Sequence, residues 1–220
     1  MLLVGCRAMP VKNTSGERQM RTIRYLALGD SYTIGESVSE GERWPDQLAE
    51  LLRVDGIAVE VTVIARTGWT TDELWQGIQA RGVAPPYDLV SLLIGVNNQY
   101  RGSDIAEYRE QFVFLLNKAI EYAGGEPNRV IVLSIPDWGV TPFAGSRDSK
   151  QIAVEINRFN AVKREETEKS GAHYIDITPI SRKAVTHPEL IAGDGLHPSG
   201  EMYAEWAKLV LPVASEILDR

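Results

Sequence analysis

A serine just after a Gly-Asp pair and a histidine three residues after an aspartate are the parts of this 220-residue chain with most chemistry to offer. Ser31 ends the apolar run of "YLALGDSYTIGE" (25–36), and His197 follows Asp194 in "AGDGLHPSG" (192–200). Gly68 lies in "ARTGWTT" (65–71) and Asn97 in "IGVNNQYRG" (94–102). A serine hydroxyl is a weak nucleophile until a base removes its proton, and histidine is the side chain that titrates near neutral pH. Such a histidine needs a partner to fix its tautomer. A tetrahedral intermediate needs donors aimed at its oxyanion, and a glycine amide or an asparagine side chain can supply them. These residue types together suit acyl transfer.

Each also has a plainer reading. Ser31 alone reads as a helix cap or part of a phosphate loop, Asn97 as a turn former and Gly68 as a loop glycine. No G-K-[ST] occurs, no G-x-G-x-x-G follows the first apolar run, and the G-x-S-x-G elbow is missing because Tyr32 and Thr33 follow the serine. His173 opens a strand-like run and His187 precedes Pro188, neither with an acid at useful spacing. No His/Cys/Asp cluster has metal-ligand spacing, so no metal is expected, and no cofactor is implied. Asp30 reads as structural. Trp69, Tyr100, Arg101, Asp137, Trp138 and Phe143 follow strand ends, where pocket lining and loop packing are equally expected.

The elements that must position these residues alternate regularly. Strands are expected at 24–28, 59–64, 89–94, 129–135 and 173–177, rich in Val, Ile and Leu without strict alternation, as in parallel strands buried on both faces. Helices are expected from Arg43, Thr71, Asp104, Gln151 and Gly200, with Thr71 as an N-cap and Pro212 kinking or breaking the last. This rhythm implies one parallel sheet covered by helices on both faces. Ligands of such sheets sit beyond the carboxyl ends of the strands, and Ser31, Gly68, Asn97 and the 192–200 segment all follow strand-like runs.

With those residues in place, the pattern resembles the SGNH (GDSL-type) hydrolases, esterases and lipases of flavodoxin-like fold. "GDSYTIGE" is similar to their first block, Gly68 in "RTGWTTDEL" to the second, "GVNN" to the third and "DGLH" to the last, in order over residues 24–216. The resemblance implies a three-layer α/β/α sandwich around a mainly five-stranded parallel sheet. It makes Ser31 the nucleophile, His197 the base and Asp194 the residue orienting it. The Ser31 amide, Gly68 and Asn97 become the oxyanion hole. The third block departs from the usual G-x-N-D: Asn98 replaces the aspartate, which puts that residue's charge-dependent loop contacts in question.

The implied activity is hydrolysis of small carboxylic esters, with acetyl or short acyl groups on sugars or lysolipids among the candidates. The alternatives are acyl transfer through the same acyl-enzyme and a binding protein that keeps the fold. A net charge of -7 counts against nucleic-acid and anionic-membrane partners but says nothing of a neutral ester. No run approaches the length of a transmembrane helix. Residues 1–22 read as a flexible segment preceding a single domain, 23–220. "MLLVGC" there resembles a truncated lipoprotein signal ending at Cys6, which leaves cytoplasmic and exported locations both open.

Overall fold

The computed structural model describes residues 22–219. Its five strands are β1 (Thr22–Gly29), β2 (Ala58–Ala65), β3 (Leu89–Leu93), β4 (Val130–Leu133) and β5 (His173–Ile175). They form one sheet in the order β2-β1-β3-β4-β5, and every neighbouring pair is parallel. β3 and β4 are buried along their whole length, whereas the edge strands β2 and β5 are largely half-buried. Thr22 already belongs to β1, so the strand starts inside the expected terminal segment. The lipoprotein-like stretch around Cys6 lies outside the described residues.

The helices are α1 (Ser31–Ile34), α2 (Trp44–Val54), α3 (Thr71–Arg81), α4 (Val96–Tyr100), α5 (Ile105–Tyr122), α6 (Ser149–Ser170), α7 (Thr178–Arg182) and α8 (Gly200–Leu218). α2 packs on α8 to cover one face of the sheet, and α3, α5 and α6 pack in sequence across the other. Asp104 caps α5 through the Ala106 amide at 2.8 Å, and Asp148 caps α6 through Lys150 at 2.9 Å, each satisfying an N–H the helix leaves free. α3 begins differently from expectation. Thr70, not Thr71, is its cap, in a capping box closed by Glu73.

α8 runs unbroken through Pro212, so of the kink or break expected there the break does not occur. Pro212 has no N–H to give the Lys208 carbonyl, and both residues are on the exposed side of the helix, where water can take that place. Trp206 and Val210 before the proline and Ala214 and Ile217 after it are all buried, so packing on both sides holds the helix together.

Candidate active site

The serine turn is built by close approach. Gly29 ends β1 where any Cβ would collide with the Thr33 hydroxyl and the Leu93 carbonyl. Asp30 is the cap of α1, its Oδ1 accepting from the Tyr32 amide at 3.0 Å. Ser31 is therefore not the cap but the first helical residue, and its backbone N–H is one that the helix leaves unused. Asp30 is fully buried, and burial pushes its carboxyl up, against the pull of the Tyr32 amide and of the Lys163 charge. Lys163, also fully buried on α6, donates from Nζ to the Ile94 carbonyl at 3.0 Å. Burial pushes this amine down, and Asp30 partly restores it.

The histidine comes from a turn closed on itself. Ala192 N–H donates to the His197 carbonyl at 2.8 Å, and Asp194 Oδ1 accepts from the amides of Leu196 at 2.9 Å and His197 at 3.0 Å. Asp194 Oδ2 lies 2.5 Å from His197 Nδ1 and accepts from Ser37 Oγ at 2.8 Å. A carboxylate only accepts, so Nδ1 carries the proton and Nε2 is left as an acceptor. Burial pushes the Asp194 carboxyl up, but the hydrogen bonds from His197, the two amides and Ser37 outweigh it and hold the group well below the usual carboxylate range. The His197 ring packs against Tyr32, centroids 5.4 Å apart.

The other two histidines lie elsewhere. His173 Nε2 meets the Asn128 carbonyl at 3.1 Å, at the start of β5. His187 does have an acid partner, contrary to expectation: its Nδ1 lies 3.0 Å from Glu189, and both side chains are exposed.

The second and third blocks are locked together. Gly68 has φ +86°, a conformation that glycine adopts without penalty, and its carbonyl accepts from Arg101 Nη2 at 2.6 Å. Arg101 also pairs with Glu73 at 3.2 Å, the residue that closes the α3 capping box. Asn97 Nδ2 donates one hydrogen to the Trp69 carbonyl at 2.9 Å, which leaves a second hydrogen on the same nitrogen. Asn98 is buried. Its Oδ1 accepts from the Thr71 amide at 3.1 Å and its Nδ2 donates to Thr71 Oγ1 at 2.9 Å. A neutral amide thus serves the first turn of α3 here, and the donation to Thr71 is one an ionised aspartate could not make.

Ser31, Gly68, Asn97 and His197 line one cleft of about 150 Å³, walled by Tyr32, Val96, Tyr100, Trp138, Phe143 and Leu196. Asp194 stands behind the histidine. Trp138 is fixed by its indole N–H, which donates to Gln99 at 2.8 Å, and Tyr100 meets it edge-on at 5.3 Å. Of the other aromatic and charged candidates, Tyr100, Trp138 and Phe143 are therefore wall residues. Arg101 braces Gly68 from outside, Trp69 contributes its carbonyl, and Asp137 is buried in an ion pair with Arg182 at 2.9 Å. A larger groove of about 400 Å³ along α6 and β5 contains none of the candidate site residues. Among the described residues, no group of three or more His, Cys, Asp or Glu is placed to hold a metal ion.

Ser37, Gln99 and Lys163 were not singled out from sequence. Lys163 had a detectable signal: it falls in register with Ile152, Ile156, Phe159 and Thr167 on the buried stripe of α6, where a lysine needs a partner.

Comparisons with known proteins bear on the family and the fold. Residues 27–205 match the family described as GDSL-like Lipase/Acylhydrolase family. A curated GDSL lipase from Mycobacterium tuberculosis is 25% identical over 202 residues, which span 86% of this chain and 80% of that protein. Among solved structures, a lipolytic protein of the G-D-S-L family from Veillonella parvula aligns with TM-score 0.66 at 19% identity, covering 91% of this chain and 100% of its own. The acetylxylan esterase Axe2 from Geobacillus stearothermophilus aligns with TM-score 0.67 at 18% identity, covering 87% and 94%.

Proposed function

The chain belongs to the GDSL-like lipase/acylhydrolase family, and we propose that it is a serine esterase that hydrolyses small carboxylic esters through an acyl-enzyme on Ser31. The observation that carries this reading is the convergence of Ser31, Gly68, Asn97 and His197 on one cleft, with His197 bound to Asp194. Ser31 Oγ attacks the ester carbonyl as His197 Nε2 takes its proton. The oxyanion is met by the Ser31 and Gly68 amides and the free Asn97 hydrogen. His197 then gives the proton to the leaving alcohol. A water, deprotonated by the same ring, releases the acid and restores Ser31.

The cleft also speaks to substrate size. A dry cavity of about 150 Å³ accommodates a molecule the size of benzene, and the walls here are mostly apolar side chains. Acetyl and other short acyl groups fit such a space, with the alcohol portion left toward solvent. The test is hydrolysis of p-nitrophenyl acetate, butyrate and octanoate by wild type and Ser31→Ala. Turnover by wild type that disappears in Ser31→Ala supports the reading. Turnover that survives in Ser31→Ala overturns the site assignment.

A further inference from the structure

Ser37 has a backbone φ of +67° and is the one non-glycine residue with positive φ among the described residues. An L residue pays for that conformation, and serine is not among the types most often found there. A glycine would meet the backbone requirement without strain, as Gly35 does two residues earlier with φ +76°. What a glycine lacks is the hydroxyl, and that hydroxyl donates to Asp194 Oδ2 at 2.8 Å.

The bond joins two distant segments. Ser37 follows α1, the helix that begins at Ser31, whereas Asp194 belongs to the turn carrying His197, 157 residues further along the chain. Its neighbour Glu36 accepts from Thr67 Oγ1, beside Gly68, so this stretch is held at both ends against the site. On the acid, the roles divide. Oδ1 is gripped by the two amides of its own turn, while Oδ2 is shared between His197 Nδ1 and Ser37. The amide grips orient the carboxylate within its turn. The Ser37 bond places that turn relative to the segment bearing Ser31.

Resting on the esterase reading above, we propose that Ser37 is a positioning residue: its hydroxyl, presented by a left-handed backbone, fixes the Asp194 carboxylate and so sets the His197 base against Ser31. Ser37 does not touch the substrate. Its contribution is therefore to turnover and not to binding.

The experiment compares Ser37→Gly and Ser37→Ala in wild-type and Asp194→Asn backgrounds, with p-nitrophenyl acetate as substrate. In the wild-type background we expect kcat to fall about ten-fold with KM within two-fold for both variants, while Ser37→Gly melts above Ser37→Ala, since both lack the hydroxyl and only the glycine is free of strain at φ +67°. In the Asp194→Asn background the same change costs little more, since coupled neighbours are non-additive. Full kcat in Ser37→Gly, or an equal loss in both backgrounds, overturns the proposal. A second readout needs no turnover and so separates this idea from failure of the esterase reading. The His197 Nδ1 proton, assigned with His173→Gln and His187→Gln, gives a downfield resonance in proton NMR that Asp194→Asn removes. A resonance shifted or broadened by Ser37→Gly supports the positioning role, and one left unmoved by it refutes the role even in an inactive protein.

Discussion

Asp194 accepts four hydrogen bonds at its two oxygens, and their balance against burial determines how it behaves with pH. Burial raises the carboxyl, the bonds lower it further, and the folded group stays ionised well below its ordinary value of 3.8. The unfolded chain therefore takes up a proton as pH falls through the ordinary carboxylate range while the folded chain does not. More protons on the unfolded state means that stability falls with falling pH across that window. Asp194 thus contributes fully above it and progressively less below. Asp194→Asn should melt lower than wild type at neutral pH, with the gap narrowing once pH drops below about 4. A gap that stays constant down to pH 3 in thermal melts would contradict this. Asn97 makes a separate residue-scale prediction. Its side-chain nitrogen is anchored by one hydrogen on Trp69 and offers the other to the cleft. Loss of a single oxyanion donor typically costs about 10² to 10³ in rate. Stopped-flow acylation of Asn97→Ala should show a loss of that order, and an unchanged acylation rate would remove Asn97 from the oxyanion hole.

At the scale of elements, two fully buried ionisable side chains brace three of them behind the site. Asp30 caps α1 at the end of β1, and Lys163 of α6 holds the Ile94 carbonyl just past the end of β3, immediately before α4 and Asn97. Burial dominates at both groups, raising the Asp30 carboxyl and lowering the Lys163 amine, and each one's charge pulls the other part of the way back. A buried acceptor left without its donor typically costs about 1–3 kcal/mol. Lys163→Met takes the donor from the Ile94 carbonyl and the cation from the surroundings of Asp30, and should lower stability by roughly 2 kcal/mol in urea unfolding. Adding Asp30→Asn should recover part of that loss, because the Asn oxygen still caps Tyr32. A double variant less stable than Lys163→Met would show that the two charges are not coupled. The same scale shows what sequence conveys and what it does not. The five strands and five long helices were legible because each carries its own period and punctuation, as with the Asp104 and Asp148 caps. Pro212 does not break α8, because the burial of the helix on either side of it outweighs local propensity. Thr71 was mistaken for the cap because Thr70 and Thr71 are both eligible, and only the Glu73 contact decides between them.

For the whole molecule, the site is a product of strand order. Order reverses between β2-β1 and β3-β4-β5, so the loops after β1 and β3 leave neighbouring strands and open a crevice. Every strand end then contributes: Ser31 after β1, Gly68 after β2, Asn97 and Tyr100 after β3, Trp138 and Phe143 after β4, and His197 from the segment beyond β5. The members of this set were legible because short motifs at successive strand ends mark them. The braces were not. Ser37 to Asp194 and Lys163 to Ile94 span 157 and 69 residues, and no local pattern encodes a pairing at that range. Cleft size is likewise a property of the whole fold, since its walls arrive from all five loops. Phe143 is the wall residue best suited to test it. It is 39% exposed, lies 6.0 Å from the Trp138 ring, and sits in the short 3-10 turn Pro142–Ala144 of the loop after β4. Truncating it should lengthen the apolar space without disturbing Ser31 or His197. Each methylene gained in an apolar pocket is worth about 1 kcal/mol or somewhat more in specificity. Phe143→Ala should then raise kcat/KM for p-nitrophenyl octanoate relative to acetate by about ten-fold, a change of about 1.4 kcal/mol. If the ratio stays fixed while the acetate rate holds, the acyl chain does not run along Tyr100, Trp138 and Phe143, and those aromatics face the alcohol portion of the ester instead.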